Sequence, residues 1–494
     1  MPDLGLVLAL VTDPVVLGLI VLGTIGGVLV GALPGLSSSM AVALLLPFSL
    51  YLEPVPAIAL LSALYCAGTF GGSITAILLN VPGAPPAAAT AFDGYPMARR
   101  GEAGRALGIA AFASAFGGIF SALVLLFAAP LLARMAYGFG PPEYFALAVF
   151  GLSMLSSIGG EAPLKNLIGG CLGLLIATVG VDLTTGVERF VFGVPDLYDG
   201  IHFVPVLIGL FGVTEALSQS QNLGASLESI GVSATRLPSL EDFRKVRGTI
   251  LRSSFIGTFI GVLPAEGSTI AAMIGYNEAK RWSKEPEAFG KGALEGIAGP
   301  EAANNAATGG AMVPTLALGI PGSATAAVIM GGLQVHGLRP GPYLFEEQPS
   351  LLYGIFISML LANVLFLVIG LVGAKLFARI SLVPKTLLWP AVFVLCVVGA
   401  YGVEQSMVDV WIMLAAGFLG FALKRFGFGP APIIMGLVLG SLVETSLAQS
   451  MILFDQDWTG FLSRPVALAL FLLAAGSILF RPTRALVSRI LTRS

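Results

Sequence analysis

The chain has 494 residues, 56% of them hydrophobic and only 11% charged, with a formal net charge of −2 and a mean hydropathy of +0.91. Soluble domains carry about 25% charged residues, so this composition excludes a soluble globular protein. The near-neutral total says nothing about orientation in a membrane, which follows from where Lys and Arg lie.

In chain order, the N-terminal Met1, Pro2 and Asp3 lack a basic n-region, so a cleaved signal peptide is not expected. Apolar segments follow near 14–33, 37–52, 56–79, 86–98, 104–133, 143–158, 163–182, 202–218, 248–263, 267–279, 292–318, 323–335, 350–376, 387–403, 408–423, 430–447 and 464–480. A bilayer-spanning helix needs about 20 apolar residues. Several segments are shorter and abut a Pro or Gly break, which predicts half-helices and hairpin arms. The expected fold is an all-α polytopic membrane protein with about 12 membrane segments plus re-entrant hairpins.

Two stretches about 230 residues apart share one punctuation. Gly27, Gly31, Leu33, Pro34 and Gly35 lead into Ser37, Ser38 and Ser39; Gly257, Gly261, Leu263 and Pro264 lead into Glu266, Gly267, Ser268 and Thr269. A second pair of breaks follows, at Asn80, Pro82 and Gly83 and at Gly319, Pro321 and Gly322. Helix breakers at matching places in two hydrophobic halves are a pointer to the binding site of a secondary transporter.

Basic residues set the topology. No Lys or Arg precedes Arg99. With the N-terminus outside, Arg99, Arg100, Arg105, Lys165, the clusters Arg236–Arg252 and Lys280–Lys291, Lys375–Lys385, Lys424, Arg425 and the tail Arg481–Arg493 all fall in the cytoplasm. Only Arg134, Arg189, Arg339 and Arg464 fall outside, so the positive-inside rule gives N-out and C-in. The first unit (14–218) then starts outside and the second (248–480) inside, making them inverted-topology repeats with broken helices. A cytoplasmic linker (219–247) joins them and a basic cytoplasmic tail (481–494) follows.

Helix N-termini present free N–H groups and partial positive charge. Four of them, following breaks with no Lys or Arg, predict an anion site built from backbone and hydroxyls. Its candidates are Pro34, Gly35, Ser37, Ser38, Ser39, Asn80, Pro82, Gly83, Gly267, Ser268, Thr269, Pro321, Gly322, Ser323 and Thr325. Glu266, Glu301, Asn304 and Asn305 are the candidates for cation coupling. Asn carbonyls and a carboxylate are hard oxygen ligands suited to Na⁺, and a buried Glu could instead carry a proton. The competing reading has the two Asn side chains satisfying freed backbone and Glu301 lying near the cytoplasmic end. At the matching positions of the first unit stand Ser62, Tyr65 and Cys66, so a charged coupling site would be asymmetric.

Smaller features carry less. Cys66, Cys171 and Cys396 lie apart in apolar runs and read as small buried hydrophobes. Trp389, Trp411 and Trp458 lie near segment ends and read as interfacial anchors. Asp13, Glu53, Glu143, Asp182, Glu188, Asp196 and Asp199 form an acidic outer rim, a solvated face or a dock for a basic partner.

The order Gly31, Pro34, Gly35; Gly71, Gly72, Ser73; Asn80, Pro82, Gly83; Gly261, Pro264, Glu266, Gly267; Pro300, Glu301, Asn304, Asn305; and Leu318, Pro321, Gly322 resembles the large membrane subunit of the tripartite tricarboxylate transporters, the TctA type. Ala265 departs from the Gly common after the Leu-Pro pair in that family. The resemblance implies a secondary permease of the bacterial inner membrane importing citrate-like di- or tricarboxylates by Na⁺ or H⁺ symport, without cofactor or ATP. It also implies two partners, a periplasmic solute-binding protein and a small four-helix membrane subunit. The alternative is an ion channel with re-entrant selectivity loops; an intramembrane enzyme or a scaffold fits the breaks less well.

Overall fold

The computed structural model describes residues 12–158, 163–182, 184–221, 237–264, 267–373 and 383–491, with Gly5 and Ala9 besides. Its helices are α1 (Pro14–Gly31), α2 (Ser38–Ser49), α3 (Pro54–Leu79), α4 (Ala87–Arg99), α5 (Ala103–Ala136), α6 (Pro141–Ile158), α7 (Pro163–Ala177), α8 (Phe203–Ser220), α9 (Leu240–Val262), α10 (Gly267–Trp282), α11 (Leu294–Leu318), α12 (Ala324–Val335), α13 (Pro349–Val372), α14 (Lys385–Glu404), α15 (Met407–Arg425), α16 (Pro430–Leu453) and α17 (Pro465–Leu491). Gly180–Val181 and Glu188–Arg189 pair as a short antiparallel ladder. The chain is an all-α polytopic membrane protein. Among the described residues, eight helices are long and apolar enough to cross a bilayer: α1, α3, α5, α8, α13, α14, α15 and α16. Four shorter apolar helices accompany them.

Local chemistry sets the ends. Proline opens α1, α3, α13 and α16, where its missing N–H costs nothing. Asp13 caps α1 by accepting from Val15 N at 2.8 Å. The helix α9 begins inside the expected linker: Ser239 Oγ accepts from Asp242 N at 3.3 Å and Asp242 Oδ2 accepts from Ser239 N at 2.9 Å, a reciprocal capping box. Arg244, Lys245 and Arg247, which fall within the expected stretch 219–247, therefore ride on the first turns of α9. The basic tail likewise starts within α17, which runs on to Leu491.

Two helices form the centre. Nearly all of α3 and α11 is buried, whereas α5, α9, α13 and α17 turn Phe127, Leu131, Phe255, Phe259, Val368 and Leu472 outward. A helix buried all round belongs in the core, and an apolar outward face suits lipid. Each central helix is crossed by the first helix of its half through small residues. A β-carbon added at Gly31 would stand 2.5 Å from Gly68 O, and one at Gly261 would stand 2.5 Å from Ala307 O. Gly68 and Ala307 occupy matching positions, so both halves use one crossing, in which small residues let backbones touch.

The ends of the central helices match as well. The α3 helix stops at Asn80 (φ 56°) and α11 at Gly319 (φ 69°), both left-handed. Asn80 N and Val81 N both turn back to Thr75 O, and Gly319 N and Ile320 N to Pro314 O. Asparagine and glycine are the residues that tolerate that conformation.

Two expectations about single side chains change, and one buried carboxylate is new. Trp389 is buried rather than interfacial, packed over the turn at Gly35, while Trp411 and Trp458 are exposed as anchors should be. Of the free cysteines, Cys66 and Cys396 are buried but Cys171 is exposed on α7. Asp93 attracted no notice in the sequence, yet it is fully buried. Its carboxylate accepts from Gly292 N (2.7 Å), Ala293 N (2.8 Å) and Tyr276 Oη (3.0 Å), tying α4 to α10 and to the start of α11.

Candidate functional site

The four breaks meet. A cavity of about 80 Å³ is lined by Ser37, Ser38 and Ser39 at the start of α2, by Ala84, Pro85 and Pro86 before α4, by Ser268 and Thr269 at the start of α10, and by Ser323, Ala324 and Thr325 at the start of α12. Tyr65 and Thr69 from α3 and Asn304 from α11 complete its wall. The lining falls into matched pairs from the two halves: Ser38 with Ser268, Ser39 with Thr269, Tyr65 with Asn304, Ala84 with Ser323, Pro86 with Thr325. The last three pairs share the separation of 239 residues that also relates Cys66 to Asn305.

Hydroxyls hold these starts in place. Ser37 Oγ accepts from Met40 N at 3.3 Å and Ser323 Oγ from Ala326 N at 3.1 Å, each as an N-cap. Ser39 Oγ and Thr325 Oγ1 share a hydrogen bond of 2.6 Å, and Tyr65 Oη and Ser323 Oγ one of 3.1 Å, so the two halves are stitched across the cavity. No charged side chain is among the described residues lining it. The helix N-termini around it carry partial positive charge, and the polar side chains in its wall are hydroxyls and the Asn304 amide. Asn304 Oδ1 is buried, lies at this wall and has no hydrogen-bond partner among the described residues.

Eight other candidates for anion binding shape the turns behind the cavity instead of lining it: Pro34, Gly35, Asn80, Pro82, Gly83, Gly267, Pro321 and Gly322. Gly35 (φ 87°) lies against Gln219 and Trp389; Gly83 N donates to Gly72 O at 3.2 Å, and Gly322 N to Thr315 Oγ1 at 3.1 Å. Glu266 lies outside the described residues. Tyr65 entered the sequence reading only as the counterpart of Asn304; Thr69, Ala84, Pro85, Pro86 and Ala324 were not among the candidates, although the separation of 239 aligns Ala84 with Ser323 and Pro86 with Thr325.

Glu301 is fully buried and does not line the cavity. Its Oε1 accepts from Ser73 Oγ (2.5 Å) and Thr90 Oγ1, and its Oε2 from Ser114 Oγ (2.6 Å). The donors come from α3, α4 and α5, so this carboxylate is the node that binds the first half to α11. Asn305, one helical turn on, donates from Nδ2 to Cys66 O at 3.2 Å. The two asparagines thus face different neighbours, one the cavity and one α3.

A second cavity, of about 300 Å³, lies at the other end of α12, beside Gln334. Asp182, Asp199 and Glu444 line it against Arg189 and His202. Arg189 is already paired with Glu444 and with Asp182 (3.4 Å), and burial pushes the His202 imidazole down, toward its neutral form. This cavity does not offer a free cation to an anion.

On the side that carries the basic clusters, Arg105 of α5 donates to Asp242 of α9 from Nε (2.9 Å) and Nη2 (2.5 Å). The guanidinium holds the Asp242 carboxyl down at about 2, helped by the bonds from Ser239.

The chain matches the model of the "Tripartite tricarboxylate transporter TctA family" over residues 17–435. It is 42% identical over 450 residues, 91% of this chain and 89% of the relative, to an uncharacterised 52.8 kDa protein of the TAR-I ttuC′ 3′ region of Agrobacterium vitis. It is 39% identical over 214 residues, 43% of this chain and 88% of the relative, to an uncharacterised protein of the TAR-II ttuC′ 3′ region of the same organism. No solved structure matches it. A polytopic chain with broken central helices, matched over most of its length by this one family model, is a member of the tripartite tricarboxylate transporter TctA family.

Proposed function

We propose that this chain is the permease subunit of a secondary importer for di- or tricarboxylate anions, with its substrate in the cavity where α2, α4, α10 and α12 begin. The observation that carries this reading is the cavity itself, with four helix N-termini and paired hydroxyls but no charged side chain described in its lining. An Arg clamp in low dielectric would hold a multivalent anion too tightly for turnover. Backbone dipoles and hydroxyls bind it more weakly, which suits a site that must also release. The pairing of lining residues supports two inverted units whose relative movement would open the cavity to one side and then the other.

In this reading the N-terminus is periplasmic and the C-terminus cytoplasmic, in a bacterial inner membrane. A periplasmic solute-binding protein delivers the anion, a small four-helix subunit stands beside the permease, and a Na⁺ or H⁺ gradient drives uptake. The test is uptake of labelled citrate and related carboxylates into proteoliposomes holding the purified subunits, with Na⁺ and pH gradients imposed separately. Saturable uptake dependent on the binding protein is expected, and Ser38→Asp and Ser268→Asp should each abolish it. Normal uptake by both variants would remove the substrate from this cavity. A steady current through the large subunit alone would favour a channel.

A further inference from the structure

The cavity of about 80 Å³ is smaller than its proposed ligand. A cavity that holds benzene measures about 150 Å³, and a di- or tricarboxylate is larger than benzene. Part of the wall therefore has to move when the anion enters. The hydrogen bonds across the cavity decide which part.

Two bonds tie the start of α12 to the first half. Thr325 Oγ1 and Ser39 Oγ of α2 lie 2.6 Å apart, and Ser323 Oγ and Tyr65 Oη of α3 lie 3.1 Å apart. This wall stays packed away from the cavity as well. Residues 324–333 are all buried. A β-carbon at Gly332 would stand 3.1 Å from Leu61 Cδ1 of α3 and 3.5 Å from Leu46 Cδ1 of α2.

The inverted counterparts of the two bonds cannot form. The pair matching Ser39 and Thr325 is Thr269 of α10 with Pro86; the pair matching Tyr65 and Ser323 is Asn304 of α11 with Ala84. Neither proline nor alanine has a side-chain donor or acceptor. The consequence shows at Asn304, whose buried Oδ1 has no partner among the described residues. Helices α4 and α10 find their holds further along. Thr90 Oγ1 of α4 donates to Glu301, and Asp93 accepts from Tyr276 Oη of α10 at 3.0 Å. Both helices also keep an exposed side, at Phe92 and at Ile274.

We propose that the anion site has one wall that is fixed and one that yields. The starts of α2 and α12 stay laced to each other and to α3, while the starts of α4 and α10, as far as Thr90 and Tyr276, part to admit the anion. Ala84 and Pro86 are thereby specificity-determining: by leaving this wall unlaced they let the site accept an anion larger than the empty cavity. Helices α4 and α10 end in Arg99 and in Lys280 and Arg281, so the site loosens toward the side of the basic clusters. The identity of the ligand rests on the transport reading; the difference between the walls does not.

The test is amide hydrogen exchange of the purified full chain in detergent, read peptide by peptide with and without citrate. Exchange reports local opening. In the empty chain, peptides spanning 84–92 and 268–276 should exchange about tenfold or more faster than those spanning 38–46 and 323–331, because hydrogen bonds hold only the second pair at the cavity. Citrate should slow the first pair most. Thr325→Val, which removes the partner of Ser39, should bring 38–46 and 323–331 toward the faster rate. Ala84→Ser with Pro86→Thr supplies the missing hydroxyls, and it should slow 84–92 and raise the citrate concentration needed about tenfold. Equal rates in the two walls of the empty wild-type chain, or faster exchange at α2 and α12, would overturn the proposal even if no variant folds. So would unchanged exchange in a folded Thr325→Val chain. A rate difference that no carboxylate alters takes the substrate out of this cavity and leaves the wall assignment standing; a carboxylate response over equal rates does the reverse.

Discussion

Glu301→Leu removes the acceptor of three buried hydroxyls, those of Ser73, Thr90 and Ser114, from three different helices. Each hydroxyl left unpaired costs about 1–3 kcal/mol, or roughly 3–9 kcal/mol together. Part of this is recovered, because a Ser or Thr hydroxyl in a helix can turn to the carbonyl one turn back. We expect a loss of about 3–5 kcal/mol, a large share of the roughly 5–15 kcal/mol that holds a typical domain folded. Glu301→Gln is the informative companion. Its amide oxygen can keep two of the donors and its NH₂ can donate to the third hydroxyl, so the loss should be near 1 kcal/mol. Denaturant unfolding in detergent measures both variants, and proteoliposome uptake follows for whichever folds. A leucine variant within 1 kcal/mol of wild type would refute the carboxylate as the node between the halves. A stable glutamine variant that fails in uptake assigns the charge a part in the transport cycle; normal uptake confines Glu301 to anchoring.

Two further outcomes are expected. Gly31→Val and Gly261→Val each drive a side chain into the backbone of the helix they cross, at Gly68 and Ala307. Backbone cannot yield as a side chain can, so both should lose folded protein in size-exclusion profiles, whereas Gly18→Val, with no atom within 4 Å, should not. Asp242→Asn keeps the cap but removes the charge facing Arg105. The Asp242 pKa lies at about 2, below its usual value near 4, so its stabilisation is complete above the usual value and fades as pH falls through the lowered one. With the guanidinium partly solvated, the variant should lose on the order of 1 kcal/mol at pH 7. That difference should close between about pH 4 and pH 2 in unfolding midpoints.

Much of the architecture was legible because lipid leaves few choices for backbone. Proline and glycine inside apolar runs have to mark turns, and the breaks at Pro34, Asn80, Pro264 and Gly319 stand where those residues placed them. The repeated Gly27-Gly31 and Gly257-Gly261 spacing likewise announced two close crossings. The start of α9 was also written locally, in Ser239 and Asp242, but lay hidden in a polar stretch that read as linker.

Side-chain partners were not legible. Serine and threonine in membrane helices commonly bond their own backbone, so nothing in the sequence separates Ser73, Thr90 and Ser114, which hold Glu301, from Thr24, which bonds Ile20 O. Adjacent Asn304 and Asn305 look like one unit in the chain, yet successive residues on a helix point about 100° apart. That rotation sends one amide to the cavity and the other to Cys66. Asn363 sits in an unremarkable apolar helix, and only the packing shows its Oδ1 filling the space over Gly118. The sequence alone determined where the helices break and which residues cross closely, because both are constraints on a few neighbouring backbone atoms. Which breaks share a cavity, and which hydroxyls hold Glu301, only the packing of the two halves decided, because those contacts join residues far apart in the chain, from 187 positions for Ser114 and Glu301 to 286 for Ser39 and Thr325.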